Sequence, residues 1–547
     1  ESRLGIPMIY GRDVIHGHRT VYPIPLATAA SFNEELTEKC YRNVAKEAAA
    51  DGIHWTFSPM LDMCHDPRWG RVIECPGEDP FVGASVARAV VKGFQGDNLA
   101  DNESIIACAK HYIGYGASEG GRDYHRTEIS DYSLYNYYLP AFRSATEAGV
   151  GTVMSSFNDI NAQPVTSSKK YLTDILRGKL GFEGFVVSDW SAISLLQNQG
   201  VANSKADCAK LSINAGLDLD MCSKCYIESL EELVKSGEVL EETIDLSVKR
   251  ILKLKFAKNL FENPYRKKIK FNRTEHLKLA REAAGESMIL LKNDGVLPLK
   301  KDMTIAVAGP FLRARRALLG SWTLDGRAEE TPNFLEALNN AVVDGKIVCD
   351  EDDVSVYSNI DVISLRADAI VLALGESEKA TGEGRSVADI SLHKDQIDLI
   401  AKAKATGKKV IGVFFCGRPI AMQGVADMLD GVIYAWHCGS ETANAACDIL
   451  FGDVNPSGKS PITFAKKTGH IPLYYNVTSS GLSVNCYYGQ NPQRCYVDGG
   501  SQPYYPFGYG LSYTSFKYSN LKSDNQSLSL SDLENGKKFK ISILLEN

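Results

Sequence analysis

The stretch GFEGFVVSDW, residues 181–190, decides the interpretation of the first half of the chain. Its apolar run at 185–189 has the length of a β-strand and shows no polar alternation, as is typical of parallel strands buried on both faces. Similar runs occur at residues 7–10, 53–60, 105–111, 151–157 and 217–221, with amphipathic stretches such as 34–50 and 171–179 between them. These repeated strand–helix units predict a (β/α) barrel rather than two doubly wound halves. We expect its first strand to lie ahead of Glu1.

Conspicuous polar residues fall at the carboxyl ends of these predicted strands. They are Lys110, His111, Asn158, Asp189, Asp218 and Asp220. Barrel enzymes keep their chemistry on this face. A doubly wound sheet would also bind ligands there, so the pattern locates a site without choosing the fold.

The remainder of the chain divides by composition. We assign residues 1–260 to the barrel, incomplete at its N-terminus, and 261–274, with Asn263-Pro264, to a linker. A second α/β domain is predicted over 275–470, with strands at 304–308, 369–375, 410–415 and 432–436. We expect residues 471–515, which are rich in Tyr, Gly and Pro, to form an irregular connecting segment. Strand-like alternation at 537–545 predicts that 516–547 begin a β-sandwich domain that is cut short.

Composition excludes several classes of protein. The 547 residues contain 60 Lys and Arg against 67 Asp and Glu, a net charge of −7, whereas nucleic-acid and membrane-surface binders need a basic field. No apolar run approaches the roughly 18–20 residues of a membrane span. Thirteen cysteines leave at least one thiol unpaired within the chain. A local disulfide between Cys486 and Cys495 is one option, and the Cys222–Cys225 pair lacks the second ligand pair of a zinc site.

Two stretches resemble cofactor-binding motifs, but the spacing of their glycines does not match those motifs. The stretch 452–460 resembles a phosphate-binding loop, but five residues separate its glycines where four are required. The third glycine of 114–120 comes one position too late for a dinucleotide fingerprint. No HExxH or paired CxxC zinc spacing occurs. We therefore predict neither a cofactor nor a metal.

With cofactor and metal motifs ruled out, the remaining candidates for catalysis are carboxylate side chains and the polar residues near them. Asp189 would be held rigidly at a strand end, and Trp190 offers an apolar face to a sugar ring; the alternative is an Asp that caps the next helix. Glu383 lies in a glycine-flanked polar loop of the second domain, which could equally be solvated. Arg71 could bind vicinal hydroxyls or pair with a structural acid. The cations at Lys110 and His111 need partners if buried.

Nine motifs, in order along nearly the whole chain, together resemble glycoside hydrolase family 3, closest to its multidomain bacterial β-glucosidases. They are GIPMIYGRDVIHG (5–17), DPRWGRVIE (66–74), AKHYIGYG (109–116), TVMSSFND (152–159), GFEGFVVSDW (181–190), AGLDLDM (215–221), GEGRSVADISL (382–392), GDVNPSGKSPITF (452–464) and YPFGYGLSYTSF (505–516).

The resemblance implies an α/β fold, with a (β/α)8-type barrel followed by an α/β sandwich domain and the start of a fibronectin-type-III-like β-sandwich. It implies that Asp189 is the nucleophile and Glu383 the general acid/base. The residues it implies for substrate binding are Asp13, Arg71, Lys110 and His111 around the sugar, Met154 and Phe157 along the pocket, and Trp322 on the aglycone side.

The expected activity is that of a retaining exo-acting β-glucosidase on β-linked oligosaccharides or glucosides. Asp13 favours glucose over xylose, because the family's xylosidases usually carry Glu there. The alternatives are a β-xylosidase, a β-N-acetylglucosaminidase that would use Asp123 and His125, and a non-catalytic sugar-binding protein. We expect a secreted or periplasmic enzyme without a membrane span, with a homodimer as one option for its assembly.

Overall fold

The computed structural model describes residues 2–265, 269–349, 359–478, 496, 499–500 and 502–547. Its strands are β1 Gly11–Arg12, β2 Trp55–Thr56, β3 Cys108–Tyr112, β4 Thr152–Ser155, β5 Asp159–Ile160, β6 Gln163–Pro164, β7 Phe185–Val187, β8 Ile289–Asn293, β9 Thr304–Ala308, β10 Lys346–Val348, β11 Ala369–Gly375, β12 Lys409–Phe415, β13 Gly431–Tyr434, β14 Lys517–Ser523 and β15 Ile541–Glu546.

The helices are α1 Pro25–Ala30, α2 Glu34–Ala50, α3 Pro80–Gln95, α4 Asp131–Ser133, α5 Leu139–Glu147, α6 Lys205–Ala215, α7 Cys225–Lys235, α8 Glu241–Ala257, α9 Arg273–Ser287, α10 Arg316–Leu319, α11 Phe334–Ala341, α12 Ile360–Ile363, α13 Lys394–Ala405, α14 Thr442–Leu450 and α15 Leu530–Glu534. The predicted helix at 171–179 forms as a wider π-helical segment, Lys170–Lys179. No helix among the described residues is both long enough and apolar enough to span a membrane.

Helix α2 shows why local sequence predicts its element well. The Asn33 side chain accepts a hydrogen bond from Leu36 N–H and so caps the first turn. Leu36, Cys40, Tyr41 and Val44 are buried along one face at helical spacing. The prediction of a helix over residues 34–50 is confirmed.

Parallel strands in chain order form the centre of the first half. β1 pairs with β2, and β4 pairs with both β3 and β7, all in parallel. Single parallel bridges extend this succession, from Trp55 to Ile106 and from Val187 to Leu219. The carboxyl ends of these segments therefore share one face.

The first and last predicted strands of this half differ from the structure. The run 7–10 is not a strand; the ordered pair comes just after it, at β1. The run 217–221 makes only the bridge at Leu219, because the N–H groups of Asp218 and Leu219 both donate to Val186 O.

Within the described residues, the second half contains a six-stranded sheet in the order β10-β9-β11-β12-β13-β8. Five of these strands are parallel, and β8 pairs antiparallel with β13. The four predicted strands correspond to β9, β11, β12 and β13. The sequence analysis missed β8 because its apolar residues follow α9 without a turn signal, and it missed the short edge strand β10.

The C-terminal residues form an antiparallel pair, β14 with β15, joined through α15. The strand predicted at 537–545 is present as β15. Cys486 and Cys495 lie outside the described residues. Cys108, Cys416 and Cys447 are buried free thiols, and burial raises the pKa of Cys108 to about 12, which makes it unreactive.

Candidate active site

A cavity of about 600 Å³ opens where the carboxyl ends of the parallel strands meet the second domain. All ten side chains predicted to act on substrate line it. Its lining residues are Asp13, Phe57, Arg71, Lys110, His111, Tyr124, Met154, Phe157, Asp189, Trp190, Leu195, Met221, Trp322 and Glu383.

Asp189 lies at the base of the cavity, two residues beyond the end of β7. Its Oδ1 accepts a hydrogen bond of 2.7 Å from Trp190 N–H, and only 8% of the residue is exposed. Burial raises its pKa to about 6, although the positive charges of Arg71 and Lys110 act in the opposite direction. At neutral pH the carboxyl group is therefore mostly ionised. The indole of Trp190 is 65% exposed and forms part of the cavity's rim.

His111 belongs to β3 and connects Asp189 to a second buried acid. Its Nδ1 lies 2.9 Å from Oδ2 of Asp62, and its backbone N–H donates to the same oxygen. Burial raises the pKa of Asp62 to about 7 and lowers that of His111 well below its usual value. The sequence analysis missed Asp62, although it follows the apolar run 53–60 as a strand-end acid.

Lys110, also on β3, bridges the two domains. Its Nζ lies 3.1 Å from Oδ1 of Asp13 and 5.6 Å from the centre of the Trp322 ring. Trp322 comes from the second domain and has a φ of +57°. Asp13 is only part-buried, with its side chain 34% exposed, so its carboxylate is accessible to a ligand in the cavity.

Arg71 is a buried residue that lines the cavity and contacts two carboxylates. It makes a paired contact with Glu74 at 2.9 and 3.1 Å, and its Nη1 lies 3.3 Å from Oε1 of Glu383. Fork-to-fork pairing of this kind fixes the plane of the guanidinium. The remaining N–H groups are consequently aimed at the cavity and at Glu383.

Glu383 is carried by the loop 376–389, which follows β11 of the second domain. Gly382 N–H donates to Gly70 O at 2.7 Å, and Val387 N–H donates to Arg68 O at 2.9 Å. A Cβ atom on Gly70 would lie 2.2 Å from Gly382 O, so this approach of the two domains requires glycine. The loop is thus docked on the first domain rather than solvated, with the Glu383 side chain 32% exposed.

Buried Arg418 holds the base of the same loop. Its guanidinium donates to the carbonyl oxygens of Pro67 and Arg68 in the first domain, at 2.7 and 3.0 Å, and to Ala380 O in the loop. Glu376 balances its charge at 3.2 Å.

Three strand-end residues singled out in the sequence serve the fold instead of the cavity. Asn158 donates to Thr127 Oγ1. Asp218 is held by Arg177 and Arg250 at 2.6 and 2.7 Å. Asp220 accepts from the N–H groups of Ser223 and Tyr226 at the start of α7. None of the three lines the cavity described above.

Asp123 and His125 do not form a pair among the described contacts. Asp123 accepts hydrogen bonds from Trp69 Nε1, the Tyr115 hydroxyl and Gly384 N–H. His125 instead places Nδ1 3.6 Å from Glu119.

One group of side chains has the composition of a metal-ligand set: His18, Asp51 and Asp325. Asp325 is already paired with both Nη atoms of Arg12, at 2.8 and 3.1 Å. A cation at this position would have to compete with that guanidinium, so the group is better described as an ion-pair network between the domains.

Comparison with known proteins agrees with this geometry. Residues 1–254 match the glycosyl hydrolase family 3 N terminal domain and residues 288–513 the glycosyl hydrolase family 3 C-terminal domain. The chain is 37% identical to a periplasmic beta-glucosidase of Salmonella typhimurium, over 95% of this chain and 73% of the relative. It is 34% identical to a beta-xylosidase of Formosa agariphila, over 96% and 77%.

A solved beta-glucosidase from Listeria innocua, in complex with glucose, superposes with a TM-score of 0.91 at 39% identity, over 95% of this chain and 74% of that one. The two family domains cover both α/β halves of the molecule and include every residue of the cavity. The chain therefore belongs to glycosyl hydrolase family 3 and is a glycoside hydrolase.

Proposed function

We propose that the protein is a retaining exo-β-glucosidase, which releases terminal non-reducing β-D-glucosyl residues from β-glucosides and oligosaccharides. One observation carries the proposal: Asp189 and Glu383, from different domains, line a single cavity. Retention requires two carboxyl groups that act on the same glycosidic bond, one as nucleophile and the other as acid and then base.

In the first step Asp189 attacks the anomeric carbon while Glu383 gives its proton to the departing glycosidic oxygen. The aglycone leaves and a glycosyl ester on Asp189 remains. In the second step Glu383 takes a proton from water, whose oxygen attacks the anomeric carbon and releases the Asp189 carboxylate. Two inversions give net retention.

The polar residues around Asp189 suit a sugar ring. Asp13 and Lys110, 3.1 Å apart, form an adjacent acceptor and donor for neighbouring hydroxyl groups, and Arg71 and His111 add further polar atoms. Such contacts orient the ring for attack and strengthen in the transition state. We assign Met154 and Phe157 to the wall of the sugar site, Trp190 to an apolar face for a sugar ring, and Trp322 to the aglycone side.

Substrate preference rests on Asp13. A shorter acid than Glu leaves room for a C6 hydroxymethyl group, which favours glucosides over xylosides, although the relatives include enzymes named for each activity. The β-N-acetylglucosaminidase alternative loses support because Asp123 binds the Glu383 loop rather than His125. The presence of both Asp189 and Glu383 in the cavity argues against a non-catalytic sugar-binding protein.

We further propose that the parallel strands belong to a (β/α)8-type barrel over residues 1–260, and that residues 275–470 form an α/β sandwich domain. A linker, residues 261–274, would join these two domains. An irregular segment, residues 471–515, would connect the second domain to the start of a fibronectin-type-III-like domain at residues 516–547. The succession of parallel pairings from β1 to Leu219 supports the barrel. A periplasmic or secreted location is supported by the Salmonella relative.

A substrate panel tests the function. We expect hydrolysis of p-nitrophenyl β-D-glucoside to exceed that of the matching xyloside and N-acetylglucosaminide in kcat/KM. Proton NMR during turnover of p-nitrophenyl β-D-glucoside, which releases a single glucose, should show β-glucose as the first sugar product, before mutarotation. Release of α-glucose would overturn the retaining mechanism, and a preference for either of the other glycosides would overturn the glucosidase assignment.

A further inference from the structure

We propose that Asp123 is a positioning residue that fastens the tip of the Glu383 loop to the barrel, and that its neighbour Tyr124 holds the Glu383 side chain. The inference rests on the proposed acid/base role of Glu383. Asp123 and Tyr124 lie in the segment that follows β3, whereas the loop 376–389 belongs to the second domain.

Asp123 contacts the loop through both its side chain and its backbone. Its Oδ2 accepts from Gly384 N–H at 2.7 Å, and its own N–H donates to Ser386 Oγ at 3.1 Å. Gly384 and Ser386 flank Arg385, one and three residues after Glu383. The two hydrogen bonds therefore fix the loop immediately beyond the carboxyl group that must reach the glycosidic oxygen.

The carboxylate of Asp123 is itself held rigidly. Trp69 Nε1 donates to its Oδ1 at 3.0 Å, and the buried Tyr115 hydroxyl donates to the same oxygen. Oδ1 of Asp123 thus accepts hydrogen bonds from the first domain, and Oδ2 accepts one from the loop. Hydrogen bonds to an ionised acceptor are stronger than neutral ones, which suits a contact that must hold a glycine-rich tip in place.

Tyr124 adds a direct contact to Glu383. Its hydroxyl donates to Oε1 at 2.7 Å, the same oxygen that lies 3.3 Å from Arg71. Tyr124 has a φ of +59°, so its backbone adopts the left-handed region that non-glycine residues rarely occupy. Two consecutive residues thus contact the same loop, Asp123 through its backbone N–H and its carboxylate and Tyr124 through its hydroxyl group.

The base of the loop has separate supports. Arg418 and the Gly70–Gly382 contact hold it irrespective of Asp123. Loss of Asp123 should therefore loosen the tip without undocking the second domain. Proton delivery by Glu383 should suffer, whereas attack by Asp189 should not.

The test combines hydrogen exchange with two substrates, on the full chain. Asp123→Ala should raise the rate of deuterium uptake in peptides covering 376–389 about tenfold or more, because the loop loses one hydrogen bond to a charged group. It should lower kcat/KM for cellobiose at least about tenfold more than for 2,4-dinitrophenyl β-glucoside, whose phenolate leaves without a proton. Glu128→Gln, an exposed acid of the same segment, is the charge-matched control and should behave as wild type.

Two further variants keep the test decisive. Asp123→Ala also leaves the Trp69 and Tyr115 donors without their acceptor and could unfold the protein. Ser386→Ala therefore removes a loop contact without altering Asp123. We expect this variant to show both the faster deuterium exchange and the larger loss on cellobiose, each reduced to about two- to tenfold. Tyr124→Phe should show the substrate difference without the increase in exchange, because it removes only the contact to the side chain.

Unchanged exchange in Asp123→Ala and Ser386→Ala, or an equal loss on both substrates, would overturn the proposal. If the wild type cleaves no β-glucoside, the proposed function fails, and the exchange rates still decide whether Asp123 fastens the loop.

Discussion

His111 places its Nε2 atom 3.4 Å from Oδ2 of Asp189. Neither atom has a hydrogen-bond partner among the described residues. Because Nδ1 of the same ring faces the Asp62 carboxylate, the neutral imidazole is held with its proton on Nδ1 and its lone pair toward the cavity. A substrate hydroxyl that donates to Nε2 would supply the missing partner, and Asp189 would keep its lone pairs for the anomeric carbon.

The pKa of Asp189 predicts the acidic side of the pH profile. The nucleophile must be ionised, and burial raises the pKa of Asp189 to about 6. On the acidic limb, kcat/KM should reach half of its maximum near this pH and fall about tenfold per pH unit below it. The measurement is kcat/KM for an aryl β-glucoside between pH 4 and 8, with unfolding followed separately; an acidic limb near pH 4 would contradict the buried environment.

Replacing Asp189 should abolish turnover. In the proposed mechanism Asp189→Ala removes the atom that forms the glycosyl ester, and by analogy with other covalent nucleophiles kcat should fall on the order of 10⁴-fold or more. A 2-deoxy-2-fluoroglucoside should label Asp189 in the wild type, as peptide mass spectrometry would show. Labelling of another acid would remove Asp189 from this role.

Replacing Glu383 should give a pattern that depends on the leaving group. Glu383→Ala should cripple cellobiose hydrolysis, while the first step with a dinitrophenyl glucoside, which needs no proton, should change far less. The second step would lack its base, so the glycosyl-enzyme should accumulate.

Azide provides the control for Glu383. As an anion it needs no deprotonation, so it should restore turnover of Glu383→Ala and yield a β-glucosyl azide. Equal losses on both substrates without rescue would show an ordinary binding residue instead.

Asp13 should govern tolerance at C5 of the sugar. Asp13→Glu extends the acid by one methylene group beside Lys110 and should crowd a C6 hydroxymethyl group. We expect kcat/KM to fall about 10- to 150-fold for the glucoside, equivalent to a lost hydrogen bond to a charged group of roughly 1.5–3 kcal/mol, and much less for the xyloside. Equal loss on both would mean that Asp13 does not contact C6.

Asp62 should matter through the orientation of His111. Asp62→Asn retains an oxygen that can accept from both N–H groups of His111 and should cost less than about tenfold in kcat/KM, whereas Asp62→Ala removes both bonds and should cost about 10- to 150-fold. Thermal unfolding distinguishes a loss of orientation from a loss of fold. Identical kinetics for the two variants would show that the hydrogen bonds to Asp62 do not position the ring.

Local sequence predicted the elements that are long, periodic or continuously apolar. Helix α2 and strand β11 have the predicted bounds, because a capping residue, a 3.6-residue period or an unbroken buried run is visible within the segment itself. β8 and β10 were missed: the first has no turn separating it from α9, and the second is a short edge strand.

Taken alone, the sequence determined the α/β class and the location of Asp189 at a strand end, and its ordered motifs indicated the family. Tertiary structure alone decided which residues distant in the sequence meet: Glu383 with Arg71, Asp62 with His111, and Gly384 with Asp123. Periodicity and capping act over a few residues, so they specify elements. The contacts around Glu383 join segments more than 250 residues apart, and they arise only when the two halves of the chain pack against each other.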